Sequence, residues 1–237
     1  MEPGLRAGQA LYDGKVSKKP MKLGLILECQ LNGPDAKVLR CLLTQFAPEV
    51  ELRIATEGNK VNLVRECGTT AKQLIEDGCE RVVIVWDLFP AEWGDALKQK
   101  DRNPCLHRDR ERIHASLQAA DVDFGRVSLV AVEYMLESWL LADKRAIAAF
   151  LSKSLPKSLQ KEITAQQVGG HNPAREKKPK DVLSKIFEQL DHRAYRDFDH
   201  AFKIANEITD LRDLKRLCPS FQRFWEKATG PIEKEQP

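Results

Sequence analysis

With 237 residues, of which 42% are hydrophobic and 31% charged, the chain can bury a real core and is too apolar for a disordered tail. It has no run of about 18 apolar residues to span a bilayer, and residues 1–20 lack the apolar stretch of a secretory signal, so a cytoplasmic setting without membrane contact is expected. A net charge of +3 is too small to argue for nucleic acid by itself, so any such case rests on local clusters.

Residues 1–20 mix Gly, Pro and Lys with few large apolar side chains and read as a flexible leader. LGLILE (23–28) reads as a buried strand, and NGP (32–34) offers a turn with proline in the first position of a helix. Val38, Leu39, Leu42, Leu43 and Phe46 recur at helical spacing, which predicts an amphipathic helix over 35–47. VELRIAT (50–56) is a second strand. Leu63, Val64, Cys67, Ala71, Leu74 and Ile75 mark a helix that Gly78 can terminate. RVVIVWD (81–87) is the third strand, and 88–107 carries Pro, Trp and charge without clear periodicity. A helix near 108–120 leads to the strand VSLVAVE (127–133) and then to a helix through MLESWLLADKRAIAAFL.

Strands that alternate with helices, continuous rather than alternating in apolarity, predict a mostly parallel sheet with helices on both faces, an α/β domain over 21–152. Residues 153–180, which include QQVGGHNPAREKKPKD, form a linker or basic loop. Helical patterns near 180–191, 198–217 and 220–228 make 181–230 a helical C-terminal region. Six cysteines without a CxxC pair fit buried, reduced thiols better than a zinc site or a disulfide framework.

Ligands of an open parallel sheet bind beyond the carboxyl ends of its strands. Three strands here end in acids, Glu28, Asp87 and Glu133, with Glu137 at the start of the next helix. Carboxylates gathered there repel one another unless a cation is present, and oxygen ligands suit Mg²⁺ or Mn²⁺. Glu28 and Asp87 end buried strands abruptly, which favours a functional role. Glu137 serves the helix dipole equally well with or without a metal. Asp143, on another face six residues later, reads as structural.

These residues resemble an uncharacterised Toprim-like family related to the nuclease domains of overcoming-lysogenization-defect proteins and to topoisomerase and primase catalytic domains. The resemblance runs from Met21 to about Ala228. It rests on LILE, VIVWD, LESWLLAD (136–143), and the tail NPAREKKPKDVLSKI with CPSFQRFWEKA. It implies a Toprim-like fold and metal-dependent phosphodiester chemistry, in which Glu28 acts as acid or base and Asp87 holds Mg²⁺ or Mn²⁺. Two positions depart from the pattern. The second acid of Asp-x-Asp is replaced by Phe89, leaving Glu92 or Asp95 to supply an oxygen, and no glycine follows Glu28. The kinship further implies an effector in defence against phage or foreign DNA, working with a separate ABC or SMC-type ATPase, since the chain has no GxxxxGK[ST] of its own.

Lys60, Arg65, Arg175, Lys177, Lys178 and Lys180 would form an electropositive track for nucleic acid, DNA before RNA, if they flank the carboxylates; a lysine-rich loop is otherwise simply solvated. The five histidines show no metal-ligand spacing. Phe198, Phe202, Phe221, Phe224 and Trp225 would suit a docking face for the ATPase, or an internal core. Self-association is left open. Two other readings stand beside the nuclease: an interaction subunit that kept the fold and lost its full metal set, and a receiver-like phosphoacceptor. The acidic pair after strand one and the fifth-strand lysine of a receiver are missing.

Overall fold

A computed structural model describes residues 20–88, 105–155, 162–170, 172–190 and 193–231. Four parallel strands, β1 (Met21–Leu27), β2 (Val50–Thr56), β3 (Arg81–Asp87) and β4 (Val127–Val132), lie in the order β2-β1-β3-β4. The expected parallel α/β sheet is therefore present. The chain moves outward from β1 to β2 through α1 (Pro34–Phe46), then returns through α2 (Lys60–Glu76) to pair β3 with the other side of β1. That reversal makes the β1–β3 boundary the topological switch point of the sheet.

Alternating side chains on each strand feed two separate cores. Leu23, Leu25, Leu27, Val83, Val85, Val130 and Val132 face α1 and the later helices. Ile26, Val82, Ile84 and Trp86 face α2 and α3 (Leu106–Ala119) on the opposite side. Two-sided burial explains why β1 from Leu23 to Leu27 and β3 from Val82 to Trp86 carry no charged residue. Gly78, at φ 91, closes α2 as expected, with its N–H donating to Ile75 and that of Cys79 to Leu74.

The helix expected through MLESWLLADKRAIAAFL is broken in two. Asp143 ends α4 (Glu137–Ala142) and caps α5 (Lys144–Ser154), accepting from the amides of Arg145 at 3.0 Å and Ala146 at 3.1 Å. Its structural role was the expected one. A single turn, α6 (Ala165–Val168), precedes α7 (Pro179–Leu190), α8 (Asp197–Asn206), α9 (Arg212–Leu217) and α10 (Pro219–Thr229).

The sequence pattern separates these last helices from the α/β domain, but the packing does not. Leu183, Phe187, Ile204, Phe221 and Phe224 belong to the same hydrophobic cluster as the β1 leucines. The α8 helix packs on α1, and α10 on β3 and β4. Trp139 of α4 meets Phe221 at 5.1 Å and Phe224 at 5.6 Å between ring centroids, and donates to Ser220 Oγ at 2.9 Å. Buried Arg81 at the start of β3 donates to the Lys227 carbonyl of α10. The C-terminal helices thus complete one face of the sheet. Phe221, Phe224 and Trp225 take the internal role, whereas Phe198 and Phe202 stay exposed.

All six cysteines are free, and no helix of the described residues is long and apolar enough to cross a membrane.

On the other face, α2 and α3 touch at Gly68. A methyl group there would lie 2.0 Å from the Ser116 carbonyl oxygen, and the Gly68 amide already donates to Ser116 Oγ at 3.0 Å. Gly68→Ala must push the helices apart. It is expected to cost about 1–3 kcal/mol in urea unfolding; an unchanged midpoint would show that the helices do not approach this closely.

Candidate functional site at the carboxyl edge of the sheet

The turn after β1 sets the first part of the site. Asn32 takes a left-handed conformation at φ 59, and the Gly33 amide donates to Gln30 O at 2.8 Å, so the chain doubles back and Pro34 starts α1. This leaves Glu28 at the end of β1 and Asp35 in the first turn of α1. The adjacent β3 ends at Asp87, whose amide donates to Glu28 Oε2 at 3.2 Å. Glu137 opens α4 just beyond β4 and is buried.

Glu28, Asp35, Asp87 and Glu137 thus come from four different elements and act on one another electrostatically. Burial, opposed by the Lys60 charge and the Asp87 amide, lifts Glu28 to about 7. Burial lifts Glu137 to about 7 against the pull of Lys180, with Asp35 adding to the rise. Asp35 rises to about 6, again chiefly from burial, with Lys180 opposing. Asp87 is raised well above the usual carboxylate range by burial and then by Asp35, Glu28 and Glu137. Although Glu28, Asp35 and Asp87 retain partial surface exposure, dense surrounding protein makes desolvation their largest effect.

Two lysines hold this charge in place. Lys180 Nζ lies 2.7 Å from Asp197 Oδ2 and 3.6 Å from Glu137 Oε1. Burial would lower its pKa, but Glu137, Asp197 and Asp35 raise it overall. Lys60, 4% exposed, donates to the Leu88 carbonyl at 3.0 Å and lies 4.0 Å from Asp109 Oδ2. Asp109 also accepts from Trp86 Nε1 at 3.1 Å. The buried Tyr195 hydroxyl closes no well-formed hydrogen bond among the described residues, and its pKa is driven up by burial and then by Glu137, Asp197 and Asp35.

The expected residues separate accordingly. Glu28, Asp87 and Glu137 come together. Glu133 is exposed beyond β4, and its side chain makes no hydrogen bond or ion pair among the described residues. Phe89, Glu92 and Asp95 lie outside the described residues. The electropositive track does not form as expected. Lys60 is internal, and Lys180 is engaged by acids. Arg65 lies on the opposite face of the sheet in an exposed pair with Glu66 at 2.6 Å. Arg175, Lys177 and Lys178 are exposed on the loop before α7, with Lys178 3.8 Å from Asp181.

Asp35, Asp109, Asp197 and Tyr195 escaped the sequence reading. Asp35 had a signal, since an acid next to the N1 proline follows β1 directly and must lie at the carboxyl edge. Asp109, Asp197 and Tyr195 join through tertiary packing and had none.

The all-oxygen donor set suits Mg²⁺ or Mn²⁺ in chemistry. Among the described residues, however, no three His, Cys, Asp or Glu side chains are already arranged to hold a metal ion. The pair Glu28 and Asp87 is the part of the site closest to one, joined through the amide contact.

Fold and site together define a doubly wound α/β protein with a buried acidic centre at its switch point. The chain belongs to the family described as Domain of unknown function (DUF4276), whose model matches residues 37–227. That span holds Asp87, Glu137 and Lys180 and begins after Glu28 and Asp35. No curated protein and no solved structure matches the chain.

The acidic centre makes a pH prediction. Raised folded pKa values mean that the folded state holds protons the unfolded chain has released. The resulting stability is full below about pH 4 and is lost as pH rises through the folded values of about 6 and 7. Thermal melts in chelator should therefore fall between about pH 5 and pH 8, and Mn²⁺ should restore more stability at the higher pH. A flat profile without a cation effect would dissolve the cluster as an electrostatic unit.

Proposed function

We propose that the chain is a Toprim-like, divalent-metal-dependent phosphodiesterase acting on nucleic acid, DNA before RNA. The supporting observation is the meeting of Glu28 and Asp87 at the switch point, with Asp35 and Glu137 raising the local negative potential. Such a concentration of buried carboxylates is costly without a counter-charge. Glu28 and Asp87 would hold Mg²⁺ or Mn²⁺, which supplies charge neutralisation and polarises a phosphoryl oxygen. A cation there would keep Glu28 ionised, and its oxygen not held by the metal could then accept a proton from the reacting oxygen. Lys180 steadies Glu137, and Lys60 steadies the end of β3 behind Glu28. The resemblance in sequence adds the setting: a cytoplasmic effector against phage or foreign DNA that works with a separate ABC or SMC-type ATPase.

One observation favours a second reading. The lack of a ready three-ligand group among the described residues fits an interaction subunit with an impaired site. The receiver-like reading gains nothing, because the described sheet has four strands and offers no fifth-strand lysine.

Calorimetric titration separates the two. Wild type is expected to bind Mn²⁺, while Glu28→Gln and Asp87→Asn bind at least about tenfold more weakly, or about 1.4 kcal/mol. Both variants should melt no lower than wild type in chelator, since each removes a repelled charge. Nucleic-acid cleavage should require the cation and vanish in both variants. Equal metal affinity in all three proteins would reject the phosphodiesterase and leave the interaction subunit.

A further inference from the structure

Helices α1 and α8 lie side by side with their N-terminal turns, Asp35 and Asp197, at the acidic centre. Between their outer faces runs an open groove of about 710 Å³. Its walls carry Lys37 and Arg40 from α1, and Phe198, Phe202 and Lys203 from α8. The spacing explains this. Residues 36, 38, 39, 42 and 43 of α1 face the core, so 37, 40, 41, 44 and 45 face the groove. On α8, 198 and 202 lie one turn apart on the same side.

Phe198 is 56% exposed and Phe202 41%, an unusual placement for two phenylalanines beside a full core. Lys37 Nζ stands 4.3 Å over the Phe198 ring. The one acid on the wall, Asp199, is held by Arg196 at 2.7 Å. The groove therefore offers two exposed aromatic rings between cations, with Lys37 over one face of Phe198. Phe198 also borders a second hollow of about 550 Å³ lined by Lys180, Tyr195 and Asp197. Phe198 and Asp199 thus border both hollows, and the second is lined by Lys180, whose ammonium lies 3.6 Å from Glu137.

We propose that the α1–α8 groove binds a single-stranded nucleic acid and leads it toward the carboxylates, with bases stacked on Phe198 and Phe202 and phosphates on Lys37, Arg40 and Lys203. Cations alternating with exposed aromatic rings are the chemistry a single strand requires, because every base has a stacking face and every phosphate a charge. An apolar protein partner would leave the lysines and arginine desolvated without counter-charges. From 37 to 45 the wall is about 12 Å long at 1.5 Å per residue, room for about three stacked nucleotides. The inference names the substrate form for the phosphodiesterase reading and rests on it only for what happens at the carboxylates.

The test is fluorescence anisotropy of labelled oligo-dT and oligo-U on the full chain, in chelator and at low salt. Wild type should bind both. Phe202→Ala, Phe198→Ala and Arg40→Glu should each weaken binding by about tenfold or more. Arg65→Glu, the same charge change on the opposite face, should leave affinity unchanged. Both phenylalanines and Arg40 are exposed, so circular dichroism should show these variants folded. Three outcomes overturn the proposal: no binding by wild type, equal losses for Arg40→Glu and Arg65→Glu, or a duplex bound as tightly as the single strand and insensitive to the phenylalanines. A dimer that Phe202→Ala dissociates, without oligonucleotide binding, would make the groove a self-interface instead. Because chelator is present throughout, failure of the metal site would leave these affinities untouched.

Discussion

The pairing of β1 with β3 is the constraint on which the site depends. It is made of backbone hydrogen bonds between two strands whose side chains are buried on both faces, from Leu23 opposite Arg81 to Leu27 opposite Val85. With that register fixed, Glu28 follows Leu27 directly and Asp87 lies two residues beyond its partner Val85, so both acids fall at the same edge of the sheet. Glu28 then receives the Asp87 amide. A slip of one residue would exchange the two cores and swing Asp87 to the other face. The apolar register that stabilises the sheet therefore also aligns the acids.

The alignment carries an energetic penalty. Each unit of raised pKa corresponds to about 1.4 kcal/mol between charged and neutral forms. Glu28 and Glu137, each lifted from 4.5 to about 7, together oppose folding by several kcal/mol when ionised, against a typical total of roughly 5–15 kcal/mol. The fold offsets part of this with Lys60 and Lys180, placed behind and beside the acids. Lys180 is itself badly located by local rules, since a cation at the first turn of α7 opposes the helix dipole. Its place is explained by Asp197 at 2.7 Å and Glu137 at 3.6 Å. A local choice that conflicts with its own helix and is resolved by partners elsewhere is characteristic of a functional centre.

The sheet was legible because burial on both faces forces long uncharged runs, and Glu28 and Asp87 were legible because each ends such a run. Asp143 was read correctly as structural, though its cap splits a helix whose apolar period continues through it. The helical character of the C-terminal third was legible, but the lysine-rich segment before it resembles a linker, and composition does not reveal that α8 and α10 return to α1 and β3. The same blindness hid Asp197 and Tyr195. Lys60 misled for a different reason. A lysine next to a helix cap is ordinarily solvated, but here the loop at Leu88 and the α3 residue Asp109 close over it.

The return of the C-terminal helices changes what the sheet edge can do. Without α7 and α8, Glu137 would lose Lys180, and Asp35 would lose both Lys180 and the neighbouring Asp197. Asp35 and Glu137 would then be less desolvated, and their pKa values would move back toward those of ordinary carboxylates. Closing the edge with these helices exchanges solvent for fixed protein charges. It also places the exposed Phe198 and Phe202 along the same wall. One packing event thus produces both the perturbed acids and the surface beside them, which is why the site cannot be assigned to the α/β part of the chain alone.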